Sequence, residues 1–475
     1  MAPHRGSAAA PRSLSEWRGK TALVVGLARS GLAAAKLLHR HGARVIGTDA
    51  KTAKALPGVE ELAALGVELA LGGGDARLLD RVEVLVVSPG VPPTAPLVAA
   101  ADRLGIPSVS EVELAFQASA APWVAITGTN GKSTTTALTG ELLRRAGRRT
   151  WVAGNIGNAL SEGIESVPAE GVVAAEVSSF QLERTVTFRP RVAVLLNLTP
   201  DHLDRYPTLD AYAAAKARIF AFQTPDDVAV LNADDPETLR LAAGGRARAH
   251  TFSRRGPVPS GSYVEGDAIW WSREGRAERL LAARELGIPG PHNLENALAA
   301  VAAAGALGAL DTAEERSAVA RGLAEFPGLE HRIEPAGAVR GRRFFNDSKA
   351  TNVDAMRQAL LSFPHPLTVI AGGRDKHGDF PGLARLAGER IDHLVLIGEA
   401  APVIAAAWPR IPQERAASLA DAVRRAYLAT PERGVILLSP GCASFDMFRD
   451  YEDRGRQFKD EARRLIERVE RGEAL

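Results

Sequence analysis

The chain has 475 residues, 46% of them hydrophobic and 24% charged, and 58 Lys and Arg against 56 Asp and Glu leave a formal charge of only +2. That length exceeds what one hydrophobic core supports and points to two to four domains, while the near-neutral balance excludes a strong basic field for nucleic acid or anionic membrane. No apolar run approaches a membrane span, and the one cysteine, Cys442, excludes an intramolecular disulfide, so a soluble protein of the reducing cytoplasm is expected.

Residues 1–15 are rich in Ala, Arg, Ser and Pro without the apolar core of a secretory signal, and read as a disordered extension. Residues 16–112 form a first α/β unit. A β-type run at 21–26 leads into Gly26-Leu-Ala-Arg-Ser-Gly31, a helical stretch at 32–38, and a second strand at 44–48 that ends at Asp49, the outline of a Rossmann-like unit. Ala28 stands where the dinucleotide fingerprint has its middle glycine, which weakens a nicotinamide reading and leaves a looser phosphate or nucleotide pocket. Apolar runs at 82–87, entering Ser88-Pro89-Gly90, and at 106–109 continue the alternation.

The second unit, 113–328, opens on the stretch around which the chain is organised. Residues 123–126 read as a buried strand, 137–143 as the opening of a helix, and between them runs Thr127-Gly128-Thr129-Asn130-Gly131-Lys132-Ser133-Thr134-Thr135. Strand, glycine loop and helix are the context of a phosphate-binding loop. Gly128 and Gly131 let the backbone approach an anion, helix-start N–H groups point at it, Lys132 adds a positive charge, and Ser133 offers a hydroxyl to a phosphate-bound magnesium ion. Ile126 occupies the position where the usual pattern has its first glycine.

After a strand at 150–153 comes Gly154-Asn155-Ile156-Gly157, then an apolar strand at 172–177 carrying Glu176. An acid at such a strand end is either a magnesium carboxylate or a capping or surface group. The strand at 192–196 delivers Asp201, His202 and Asp204 in one polar loop, where metal binding is the better reading of the histidine. A helix at 209–220 sets Lys216 among alanines. Residues 244–285 read as a β-rich excursion with no assigned chemistry, and His292-Asn293 starts an Ala-rich helix on which Asn293 is either a cap or a contact to a nucleotide base.

The third unit, 329–475, carries Glu330-His331-Arg332, then Asn346-Asp347-Ser348-Lys349-Ala350-Thr351-Asn352, a polar density hard to justify as packing. Strand-like runs at 367–371, 393–397 and 435–438 deliver Gly372-Gly-Arg-Asp-Lys376 and Ser439-Pro-Gly-Cys-Ala-Ser444-Phe445, and open α/β sheets bind ligands at such ends. Cys442 reads as a small packed side chain and the tail from Asp453 as a solvated, charged helix. Only nine of the 58 basic residues are lysines, and beyond residue 54 only Lys132, Lys216, Lys349, Lys376 and Lys459 remain. A lysine kept against that bias marks a place where a guanidinium cannot substitute, with chance the plain explanation for Lys459.

Gly-Thr-Asn-Gly-Lys-Ser, Ser-Ser-Phe-Gln-Leu-Glu, Asp-His-Leu-Asp-Arg-Tyr, Ala-Ala-Lys, His-Asn, His-Arg and Asn-Asp-Ser-Lys-Ala-Thr-Asn stand here in the order seen in the Mur ligases of peptidoglycan synthesis, and from about Gly19 onward the chain resembles that family. The resemblance implies an α/β protein of three domains: a Rossmann-like N-terminal domain, a central P-loop ATPase-like domain with a parallel sheet, and a C-terminal Rossmann-like domain. It implies an ATP- and Mg2+-dependent amide ligase, expected to act as a monomer on UDP-N-acetylmuramoyl-L-alanine and D-glutamate. By motif, Lys132, Glu176, His202 and Lys216 would be catalytic, with Ser133, Glu176, His202 and a carbamylated Lys216 around magnesium. Gly128 to Thr134 (Gly128, Thr129, Asn130, Gly131, Lys132, Ser133, Thr134), with Asn293, Arg332 and Asp347, would hold ATP. Arg29, Ser30, Asp49, Lys51 and Asn155 would hold the UDP-linked substrate, and Lys349, Thr351, Lys376, Ser444 and Tyr451 the D-glutamate, Tyr451 standing where phenylalanine is expected. A nicotinamide dehydrogenase fused to an NTPase, or a non-catalytic nucleotide-binding module, are the readings from other classes.

Overall fold

The computed structural model describes residues 9–202, 205–376 and 378–474. Short apolar runs alternating with helices build three sheets. The first has five parallel strands in the order Glu68–Leu71, Arg44–Asp49, Thr21–Val25, Val84–Val87 and Ser108–Ser110. Its strand order reverses between Thr21–Val25 and Val84–Val87, the switch point at which open α/β sheets take ligands. Gly26 and Ser88 lie at that point, where the Ser88 hydroxyl donates to the Gly26 carbonyl at 2.7 Å. The helix Arg29–Arg40 starts there too, and only glycine fits at residue 31, because a Cβ would stand 1.8 Å from the Gly26 oxygen.

The second sheet has nine strands. At its centre Trp123–Thr127 runs parallel between Val172–Glu176 and Val192–Leu195, and every residue of the three is buried, as expected for strands covered on both faces. The excursion at 244–285 extends this sheet: Arg248–Ser253 and Gly261–Glu265 join in parallel, then Ala268–Arg273 and, at the edge, Arg276–Ala282 in antiparallel. The third sheet has the order Glu334–Val339, Arg342–Asn346, Val435–Leu438, Leu367–Gly372, His393–Ile397 and Gln413–Arg415, parallel except for its first pair.

The chain divides into two compact units. One comprises the chain up to Leu286 together with Glu295–Glu325, and holds the first two sheets over a shared core in which Ala22, Val24, Trp123 and Phe188 are fully or almost fully buried. The other comprises Gly287–Leu294 and Phe326–Leu475 and holds the third sheet. This latter compact unit contains the stretch 329–475 together with residues 326–328 and the short earlier segment Gly287–Leu294. No helix among the described residues is long and apolar enough to cross a membrane.

Two expectations need correction. Residues 1–8 lie outside the described residues, but the expected disordered extension does not reach residue 15. Pro11 is buried and its carbonyl accepts from Gln117 Nε2 at 2.7 Å, and a short 3-10 helix, Leu14–Trp17, inserts the fully buried Trp17 into the core. The terminal helix Tyr451–Glu470 is not merely a solvated face: Arg454, Gly455, Phe458, Ala462, Leu465 and Val469 are buried along one stripe, and the charges that dominate its composition occupy the rest.

Candidate active site

The phosphate loop has the geometry that an anion site needs. Gly131 caps the helix Lys132–Arg145 with φ 84°, where a Cβ would lie 2.1 Å from Asn296 Oδ1. The helix thus starts at Lys132, five residues before the expected 137. Asn197, at the exit of Val192–Leu195, braces the loop: its Oδ1 accepts from the amides of Thr129 and Asn130 at 3.1 and 2.9 Å, and its Nδ2 donates to the Asn130 carbonyl at 3.2 Å. Lys132 Nζ donates to the carbonyls of Gly128 and Thr129 at 3.0 and 2.7 Å, so the ammonium is held over the loop itself. Ser133 and Thr134 are buried in the first helical turn.

Strand register puts Glu176 level with Ile126, at the edge from which the loop emerges. Glu176 is buried; Asn155 Nδ2 donates to its Oε1 at 2.8 Å, while its Oε2 has no hydrogen-bond partner among the described residues. A buried carboxylate oxygen left unmatched is costly in a folded protein unless a ligand satisfies it. Lys216, on the helix Leu209–Ala217, is 1% exposed and donates to the Gly128 carbonyl at 2.6 Å. Burial, reinforced by the positive charge of Lys132, holds its amine well below the usual lysine range, with Asp201 and Glu176 acting in the opposite sense.

His202 sits in the same neighbourhood in a left-handed conformation, φ 55°, with its ring 4.8 Å from that of Phe180 and 6.1 Å from that of Tyr212. Tyr212 in turn lies under Lys216 Nζ at 4.5 Å and meets the Thr129 hydroxyl at 3.4 Å, and burial pushes its phenol up to about 12. Lys132, Glu176, His202 and Lys216 are thus gathered at one sheet edge; Asp204 lies outside the described residues. The two conspicuous motifs flanking this edge are partly structural. Ser178 and Gln181 form a capping box on Ser179–Leu182, and Glu183 accepts from Arg205 Nη2 at 2.6 Å and from the Tyr206 hydroxyl at 2.5 Å.

A cavity of about 790 Å³ opens at the switch point of the first sheet, and Arg29, Ser30, Asp49, Lys51 and Asn155, all five residues expected at the UDP-linked substrate, line it. Asp49 is held by the Leu27 amide at 2.7 Å and the Lys51 amide at 2.9 Å. Asn155 joins this cavity to Glu176, since the same side chain lines one and donates to the other.

In the second unit Asn293 is the third residue of the helix Pro291–Ala306, not its N-cap, and donates to the Pro289 carbonyl at 2.7 Å. Asp347 is buried; desolvation pushes its carboxyl up to about 7, against the Ser439 hydroxyl, which donates to it at 2.9 Å, and the nearby charge of Arg332. Lys349 Nζ donates to the Tyr451 hydroxyl at 3.0 Å, which passes its own proton to Glu452 at 2.9 Å, so the tyrosine found in place of phenylalanine adds a polar link to Lys349. Ser444 is buried, Thr351 half-buried and Lys376 exposed. Cys442 is packed as expected, and burial raises its thiol to about 12, which removes it as a nucleophile. Asn197, Tyr212, Asn296, Ser439 and Arg454 do structural work around these residues that the sequence reading did not assign. For Asn197 a signal existed, since it leaves the same strand end as His202; for Arg454 none did.

Comparisons with known proteins agree with this layout. Residues 20–110 match the Mur ligase MurD-like N-terminal domain, residues 126–304 the Mur ligase middle domain, and residues 331–442 the Mur ligase glutamate ligase domain. A UDP-N-acetylmuramoylalanine--D-glutamate ligase from Pelotomaculum thermopropionicum is 47% identical over 452 residues, covering 94% of this chain and 98% of that protein. One from Anaeromyxobacter dehalogenans is 47% identical over 456 residues, covering 94% and 97%. Among solved structures, a pseudomurein peptide ligase type C from Methanothermus fervidus superposes with a TM-score of 0.60 at 18% identity, covering 94% of this chain and all of that one, and the MurF ligase of Thermotoga maritima in complex with ADP with 0.58 at 14% identity, covering 97% and 98%. With three domain matches and near-half identity along almost its whole length, the chain belongs to the Mur ligase family.

Proposed function

We propose that this chain joins the amine of D-glutamate to the alanyl carboxylate of UDP-N-acetylmuramoyl-L-alanine at the expense of ATP, in the synthesis of peptidoglycan precursors. The observation that carries this reading is the convergence of a phosphate loop, two lysines and a buried, half-satisfied carboxylate at one sheet edge, joined through Asn155 to a cavity of nucleotide size. The names of relatives that align along nearly the whole chain supply the substrates. The reaction belongs in the cytoplasm, where ATP is present.

A carboxylate is a poor electrophile, so the γ-phosphoryl group passes from ATP to the alanyl carboxylate, with loss of ADP, to give an acyl phosphate. The amine then attacks that carbonyl carbon, the amide bond forms, and phosphate and a proton leave. Lys132 and the loop amides neutralise charge on the phosphoryl oxygens during the first step. The donor set fits magnesium: the Ser133 hydroxyl at a helix start, the Glu176 carboxylate with its unmatched Oε2 at a strand end, and the His202 ring on a loop lie at one edge. Magnesium held there would share the charge of the transferring phosphoryl group. Burial and the charge of Lys132 lower the pKa of Lys216, which favours the uncharged amine, the form whose lone pair takes up carbon dioxide as a carbamate with release of a proton.

Asn293, Arg332 and Asp347 are assigned to the nucleotide, Arg29, Ser30, Asp49, Lys51 and Asn155 to the UDP-linked substrate, and Lys349, Thr351, Lys376, Ser444 and Tyr451 to D-glutamate, whose two carboxylates suit a site with two ammonium groups. The test is phosphate release against a panel of acceptors. Release is expected only when both UDP-N-acetylmuramoyl-L-alanine and D-glutamate are present, with L-glutamate and diaminopimelate inactive. Equal release with another amino acid overturns the substrate assignment.

A further inference from the structure

The amino-acid side of the reaction has no single wall. Its assigned residues come from four separated stretches: Asn346 to Asn352, Gly372 to Lys376, Ser439 to Phe445, and Tyr451 at the start of the terminal helix. Three of these stretches are loops, and loops hold a ligand accurately only when something fixes their backbones. One side chain does so for several at once. Arg454 has no exposed surface. Its Nε donates to the Ser348 hydroxyl at 3.0 Å, its Nη2 to the Ser348 carbonyl at 2.8 Å, and both Nη atoms to the Cys442 carbonyl at 3.2 Å. The Ser348 hydroxyl passes its proton to the Tyr451 carbonyl at 2.7 Å, which closes the link to the helix start. The loop with Lys376 is tied in by a two-way backbone bridge between Arg374 and Ala443, at 2.8 and 3.0 Å, one residue from Cys442.

From this geometry we infer that Arg454 is a positioning residue for the amino-acid substrate: it sets the spacing between Lys349, Ser444 and Tyr451 without touching the ligand itself. The inference rests on the assignment of those three residues to D-glutamate. The guanidinium makes four hydrogen bonds to two backbone carbonyls and a hydroxyl from three separate nitrogens, more than the three donors that an ammonium carries on a single nitrogen. Its hydrogen-bond partners are all neutral, the Asp446 and Asp347 carboxylates act on it from nearby, and although burial lowers its pKa to about 10 it stays charged at neutral pH.

The test is the full chain carrying Arg454→Lys, assayed for the KM of each substrate beside wild type and with its melting temperature measured. The KM for D-glutamate is expected to rise about tenfold, with those for ATP and the UDP-linked substrate within about twofold, because Asp347, beside Ser348, keeps its own ties to the Ser439 hydroxyl and the Leu438 carbonyl when the strut is lost. A rise of all three together, or a lower melting temperature with all three unchanged, overturns the proposal by making Arg454 merely structural. If Arg454→Lys does not fold, Ser348→Ala decides on the same readout, since it removes one anchor and keeps the guanidinium buried. Wild-type protein that releases phosphate without D-glutamate dependence overturns the reading of function and this inference with it; wild-type dependence with unchanged KM values in the variants overturns this inference alone.

Discussion

Lys216 carries the argument at the scale of single residues. Its amine is buried, bonded to a phosphate-loop carbonyl and close enough to Lys132 that a second permanent positive charge is disfavoured. Arginine does not shed its proton in a protein and carries a larger, planar head group than the ammonium that lies 4.5 Å over the Tyr212 ring. Lys216→Arg should therefore lower kcat/KM by about 100-fold, the scale of losing an electrostatic contributor. Lys459 offers the contrast: it pairs with Glu330 at 2.5 Å and Glu334 at 2.9 Å, contacts a guanidinium can also make, so Lys459→Arg should stay within about twofold of wild type. Steady-state phosphate release on both variants checks this, and equal losses would remove the argument from lysine scarcity. The placement of residues at the end of a strand or the start of a helix, such as Lys132, Glu176 and Asn155, was legible in the sequence. Arg454 was not, because its partners Ser348 and Cys442 come from other loops and nothing local in a charged helix marks one arginine as buried.

At the scale of elements, the junction of the first two sheets is held by the helix Glu111–Gln117, whose acids face inward. Glu113 accepts from the amides of Val186 and Phe188 at 2.8 and 3.0 Å. Glu111 is buried, accepts from the Ser161 amide at 2.5 Å, and is pushed up to about 7 by desolvation. In the unfolded chain the same carboxyl titrates near the ordinary glutamate value, so between roughly pH 4.5 and pH 7 the folded state binds the extra proton. Its contribution to stability is therefore full below that window and is lost as pH rises through it, by an amount on the order of 3 kcal/mol. Glu111→Gln keeps the shape without the charge and should gain on wild type as pH rises. Melting temperatures at about pH 5 and about pH 7.5 check it, and parallel curves would show that Glu111 does not titrate in this window. Most strands were legible because they are continuous apolar runs of buried parallel sheets. Glu68–Leu71 was not, since Glu-Leu-Ala-Leu has the composition of a helix and pairs only as an edge strand, and Gln413–Arg415 has no apolar residue at all.

At the scale of the whole molecule, the three-domain sequence pattern and the two compact units describe different things. The pattern counts sheets, of which there are three; the units count cores that can open separately, and the first two sheets share one. The chain passes from one unit to the other near residues 286, 294 and 325, so each retains its own hydrophobic interior. The cavity lined by Arg29, Ser30, Asp49, Lys51 and Asn155 belongs wholly to the first unit. A ligand that binds only the folded form of that unit stabilises it by mass action, by about 2.7 kcal/mol at a hundred times its Kd. Calorimetry should then resolve two transitions, and UDP should raise the one belonging to the larger unit by about 5 °C while leaving the other in place. If both transitions move together, the two units unfold as one and the division is geometric only; if neither moves, the cavity is not the uridine diphosphate site.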